Sequence, residues 1–90
     1  MAPRLIAPHL LFHLVQAQLA GGGLTLDELV DLVKVRRVDV RRTLTAMDRS
    51  ELLDVRRMRL TLRGFALGLV LREEALPVLR QTHALHVVAA

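Results

Sequence analysis

The chain has 90 residues, 52% of them hydrophobic, with 13 basic against 9 acidic side chains and a formal net charge of +4. That length suits one small domain, and the apolar content exceeds what a lone core of this size easily hides, so a protein–protein interface, self-association first, is expected. Cysteine is absent, which excludes disulfides, thiolate catalysis and cysteine-ligated zinc, and Phe12 and Phe65 alone offer no aromatic platform for stacked single strands, so the positive charge points to duplex DNA ahead of an anionic membrane surface.

Pro8 fits the first turn of a helix over residues 8–20. His9, His13 and Gln16 share one narrow face of it, while Leu10, Leu11, Phe12, Leu14, Val15 and Leu19 fill most of the rest. An apolar arc that wide predicts burial against both its own domain and a second subunit. Gly21, Gly22 and Gly23 end the helix. Thr25-Leu26-Asp27-Glu28 is a capping-box pattern that opens a second helix over 25–33, with Asp27, Glu28 and Asp31 on its outer face. After a turn at Lys34-Val35-Arg36, a third helix is expected over 37–50. Val40, Leu44 and Met47 recur on its inner face, and Val38, Arg41, Arg42, Thr45 and Arg49 lie opposite. Residues 52–62 read as a β-hairpin of two short strands, 52–56 and 58–61, joined near Arg57. Thr61 is placed to cap a C-terminal helix over 63–88, whose Phe65–Leu71 stretch is apolar all round and predicts burial on every side. Pro77 is expected to kink or break it. The fold class is α+β, mostly helical, in one domain over 1–90.

Positive charge is concentrated in the middle of the chain. Ten basic residues between Lys34 and Arg63 stand against four acidic ones, a local charge of +6, while the remainder carries −2. A helix with an apolar back and an arginine-rich front suits the major groove, where arginine pairs with guanine O6 and N7. Arg36, Arg37, Arg41 and Arg42 are the candidates for base edges or phosphates, joined along the helix by Val38, Thr45 and Arg49. Val38 suits a thymine methyl group, and Arg56, Arg57 and Arg59 on the hairpin suit phosphates.

The run Leu26-Asp27-Glu28-Leu29-Val30-Asp31-Leu32-Val33-Lys34-Val35, followed by Val40-Arg41-Arg42-Thr43-Leu44, Met47 and Leu52-Leu53, resembles the winged helix-turn-helix of bacterial regulators. Leu60-Thr61-Leu62-Arg63-Gly64 is similar to the Leu-Thr-x-x-Gly that closes the wing in MarR-type and related repressors. The resemblance covers residues 25–64. It departs from the pattern at Arg36, where a serine or threonine usually caps the recognition helix, and at Glu51, where a glycine usually ends it. It implies a winged helix whose 37–50 helix recognises DNA, with the terminal helices building a homodimer as in MarR-type and ArsR-type proteins. The interface residues expected on that basis are Leu11, Phe12 and Val15 near one end of the chain, and Phe65, Leu67, Leu69, Val70, Leu76 and Leu79 near the other.

Two other readings of the same features are open. The basic face suits an acidic protein surface as well as a DNA backbone, since both call for arginines. His9 with His13, and His83 with His86, each place two imidazoles on one helix face, the arrangement a metal-responsive regulator with terminal-helix ligands would use. No cofactor is expected. Paired carboxylates in a cleft, a serine–histidine–aspartate set and a phosphate-binding glycine loop are all missing from the sequence, so an enzyme is not expected. The apolar runs are too short to span a bilayer and no cleavage site follows the N-terminal one, so a cytoplasmic protein is expected.

Overall fold

A computed structural model describes the backbone of residues 3–79 and the side chains of residues 4–73. In chain order it contains α1 (Pro3–Leu19), α2 (Leu26–Val33), α3 (Arg37–Arg49), β1 (Leu53–Asp54), β2 (Arg59–Leu60) and α4 (Leu62–Leu79). The strands form one antiparallel hairpin in which Leu53 pairs with Leu60 and Asp54 with Arg59.

Helix α1 is the hub. It packs on α2, α3, β2 and α4, and it contributes Ile6, Leu10, Leu11, Leu14 and Val15 to a core completed by Leu29, Val40, Leu44, Met47, Leu53 and Leu60. Of the wide apolar arc, Leu10, Leu11, Phe12, Leu14 and Val15 are therefore buried inside the chain, while Leu19 stays exposed. Leu11, Phe12 and Val15, expected at a subunit interface, are buried by the chain's own fold. Leu11 and Val15 lie directly under α4, where a Cβ on Gly68 would come within 3.0 Å of the Val15 Cβ and 3.3 Å of the Leu11 carbonyl oxygen.

Helix α1 also starts five residues earlier than expected, with Pro8 inside it. The proline removes one hydrogen bond, to the carbonyl of Arg4 four residues back. Arg4 is exposed, so water can serve that carbonyl and the helix survives. At its other end the Gly22 N–H donates to the Ala17 carbonyl at 2.9 Å and the Gly21 N–H to the Gln18 carbonyl at 3.0 Å. This is a Schellman closure, and it requires the left-handed conformation that Gly21 adopts at φ 83°.

The capping box forms as the sequence predicts. The Glu28 N–H donates to Thr25 Oγ1 at 3.2 Å, and the Thr25 N–H donates to Glu28 Oε1 at 2.8 Å. Lys34, left-handed at φ 55°, ends α2 with its N–H on the Val30 carbonyl and leads into α3.

The hairpin is shorter than expected, two residues per strand instead of five and four. Asp54 is the reason. Its Oδ1 accepts the N–H groups of Arg56 at 3.1 Å and Arg57 at 3.4 Å, which turns the chain at once, and Met58 completes the turn with φ 53°. The hairpin is tied back to α1 by the Leu60 N–H, which donates to Gln18 Oε1 at 2.7 Å.

Helix α4 runs through Pro77 to Leu79, so of the two expected outcomes at Pro77 the chain does not take the break; residues 80–88 of the expected helix lie outside the described residues. It departs from expectation in not being buried all round. Gly64 and Gly68 face inward and Phe65 packs against the core, but Leu67, Leu69 and Val70 are exposed. Among the described residues, only one side of α4 has a neighbour to pack on.

Candidate nucleic-acid interface

The inner face of α3 is fixed by burial of Val40, Thr43, Leu44 and Met47, and this sets what the outer face presents. Arg37, Val38, Arg41, Arg42, Thr45 and Arg49, with Ala46, line one depression that is open to solvent. A surface of that shape receives an extended ligand more readily than an enclosed small molecule. Val38 is 48% exposed at the first turn, among the arginines. The Thr45 hydroxyl donates to the Arg41 carbonyl at 3.0 Å, which fixes its rotamer and leaves its methyl group and an acceptor lone pair free.

The ends of α3 are built from the two unusual residues noted in the sequence. Arg36 is the N-cap by position but supplies no side-chain hydrogen bond to the helix. Its guanidinium instead reaches Asp39, in the first turn, at 3.3 Å. Burial pushes the Asp39 carboxyl up, while Arg36 and the further polar contacts of this carboxylate pull it below its ordinary value. At the C-terminus the Leu52 N–H donates to the Met47 carbonyl at 2.9 Å and the Glu51 N–H to the Asp48 carbonyl at 3.0 Å, a second Schellman closure. Glu51 occupies its left-handed position at φ 60°.

The arginines divide by partner. Arg36 pairs with Asp39, Arg37 with Asp27 of α2, and Arg57 with Asp54 at 3.7 Å. Arg41, Arg42 and Arg49 on α3, and Arg56 and Arg59 on the hairpin, make no ion pair among the described residues, and all five are exposed. The pairs that exist are solvent-accessible at the arginine, so each is weak and easily exchanged for another anion.

The structure thus gathers six of the ten residues singled out for DNA into one surface, and sets the rest apart. Arg36 turns toward Asp39. Arg57 and Arg59 border a second depression, with Met58 and the Gly23–Leu26 segment that leads into α2. Sequence reading missed Asp27 as the partner of Arg37, since its acidic position in the first turn of α2 is fully explained by the helix dipole. It also missed Gln18, whose amide holds the hairpin from α1.

Of the candidate metal ligands, His9 is exposed and His13 half-buried on α1, while His83 and His86 lie outside the described residues. Among the described residues no three or more histidine, aspartate or glutamate side chains cluster to hold a metal. No described helix is long and apolar enough to cross a membrane. Comparison of the chain with family models, with curated proteins and with solved structures gives no match.

Proposed function

We propose that this chain is a winged helix-turn-helix protein that binds double-stranded DNA as a homodimeric transcription regulator, with α3 as the recognition helix. One observation carries the reading: the outer face of α3 holds Arg41, Arg42 and Arg49 without carboxylate partners among the described residues, around the exposed Val38 and Thr45. A helix of 13 residues is about 20 Å long, enough to lie along the major groove. The element order supports the same reading, since α2, a short turn and α3 are followed directly by a hairpin that carries Arg56, Arg57 and Arg59. Arg37, held by Asp27 at the start of α3, is oriented for a phosphate that would displace the carboxylate.

Fluorescence anisotropy on a labelled mixed-sequence duplex, repeated over a salt series, tests this. Binding is expected to weaken steeply with salt, and Arg41→Ala with Arg42→Ala should lower the slope of log affinity against log salt by about 1.8, the share of two phosphate contacts. No binding at low salt, or a slope unchanged in the double variant, overturns the assignment. Arg37 on this surface already pairs with the Asp27 carboxylate, which supports an acidic protein as the second reading. Retention of an acidic protein by the wild-type chain, and not by the double variant, in the absence of DNA binding would establish it.

A further inference from the structure

The outward face of α4 is apolar and yet open to water. Leu62 is 87% exposed, Val70 51%, Leu67 39% and Leu69 37%. Ala66, Leu67 and Val70 line an open apolar groove with Leu52 and Ser50, the end of α3. Among the described side chains, the charged residues of this face sit at its ends: Arg63 before the apolar stretch and Glu73 after it, both exposed.

That arrangement is self-complementary. Arg63 and Glu73 are ten positions apart, about 15 Å along the helix, with Gly68 midway. We propose that this face pairs with the same face of a second copy, the two α4 helices running antiparallel and crossing at the level of Gly68, so that Arg63 of each copy meets Glu73 of the other. This rests on the reading of the chain as a homodimer and names the surface that makes it one. The same two-fold places Ala66 opposite Val70, small against large, in both halves of the contact. A parallel pairing would set Arg63 against Arg63 and Glu73 against Glu73, so charge selects the antiparallel form. A two-fold contact is also self-limiting, since each face is used once and the assembly closes at two.

This surface differs from the one expected at the outset. Leu67, Leu69 and Val70 keep their interface role, while Leu11, Phe12 and Val15 are excluded from it by their burial within the chain. Leu76 and Leu79 have side chains outside those described.

Sedimentation velocity on the full chain over a concentration series tests the proposal, with circular dichroism to establish that each variant is folded. The wild type is expected at twice its 10.1 kDa chain mass. Arg63→Glu alone and Glu73→Arg alone should each weaken the dimer about tenfold, since each places like charges together twice, and the two combined should restore it to within about threefold of wild type. A monomeric wild type overturns both the surface and the homodimer. A dimer indifferent to either reversal keeps the homodimer and overturns this surface. Single variants that weaken the dimer without rescue in the double overturn the antiparallel pairing.

Discussion

Helices α3 and α4 each give one side to α1 and leave the other free, yet the free sides are chemical opposites. On α3 it is arginine around a valine and a threonine; on α4 it is leucine and valine between one arginine and one glutamate. The arginine face is stable in water alone, because charge is well solvated. The apolar face carries a standing cost in water of about 25 cal/mol for each Å² left uncovered. Two helices resting on the same hub thus teach that a free face is informative by its chemistry and not by its exposure.

The comparison depends on both helices being anchored where they meet, and that junction is the place to break it. At Gly64 a Cβ would lie 1.8 Å from the Leu52 carbonyl oxygen, so no side chain fits unless α4 lifts away. Gly64→Ala is expected to lose about 3 kcal/mol of stability in a denaturant titration. A variant as stable as the wild type would mean that α4 does not start against Leu52.

A smaller change should sharpen the comparison by improving the α3 side of the junction. Glu51 is exposed and left-handed at φ 60°, a conformation that disfavours a side chain. Glu51→Gly should raise stability by about 1 kcal/mol in the same titration, and should leave DNA affinity within about twofold because Glu51 lies outside the arginine surface. Loss of stability would place the Glu51 side chain in a contact that offsets its strain.

The smallest effect concerns the hub on which both helices lean. Burial, and then the charge of His9 one turn away, hold the His13 imidazole below its ordinary value of 6.5. The unfolded chain therefore takes up this proton first as pH falls. The contribution is constant above pH 6.5, and stability declines below it as pH approaches the lowered folded value. His13→Gln should flatten that part of the stability profile between pH 7 and 5. A profile unchanged by the substitution would assign the decline to other groups.

The sequence is most readable where the physics is local. Thr25 and Glu28 satisfy each other's backbone across three residues, and Val40, Leu44 and Met47 define their own face, so α2 and the inner side of α3 follow from spacing alone. The arginine face is legible for the same reason, being what remains once the inner face is fixed. What failed depends on neighbours distant in sequence. The apolar arc of α1 predicts burial but not what buries it, and the answer is α4, more than forty residues away. The all-apolar start of α4 predicts burial on every side, whereas the fold supplies a neighbour on one. Val55 and Met58 carry strand-forming side chains, yet the carboxylate of Asp54 captures the next two free N–H groups and turns the chain first. Pro8 misplaces the start of α1 because a single lost hydrogen bond near an exposed end is tolerated.

Thr61 gives the junction one more property. Its hydroxyl donates to the Glu51 carbonyl at 2.6 Å and accepts the Gly64 N–H at 3.0 Å, so one side chain clasps the turn that closes α3 to the first turn of α4. Its own N–H donates to the Leu52 carbonyl at 3.0 Å, a third tie within the same few residues. If α3 reads DNA and α4 pairs two copies as proposed, these ties would carry both surfaces as one piece, and the pair would act as a ruler of fixed span. Such a ruler would be lenient about which bases lie between its two marks and strict about how many, since each added base pair shifts the second mark by about 3.4 Å and turns it about the duplex.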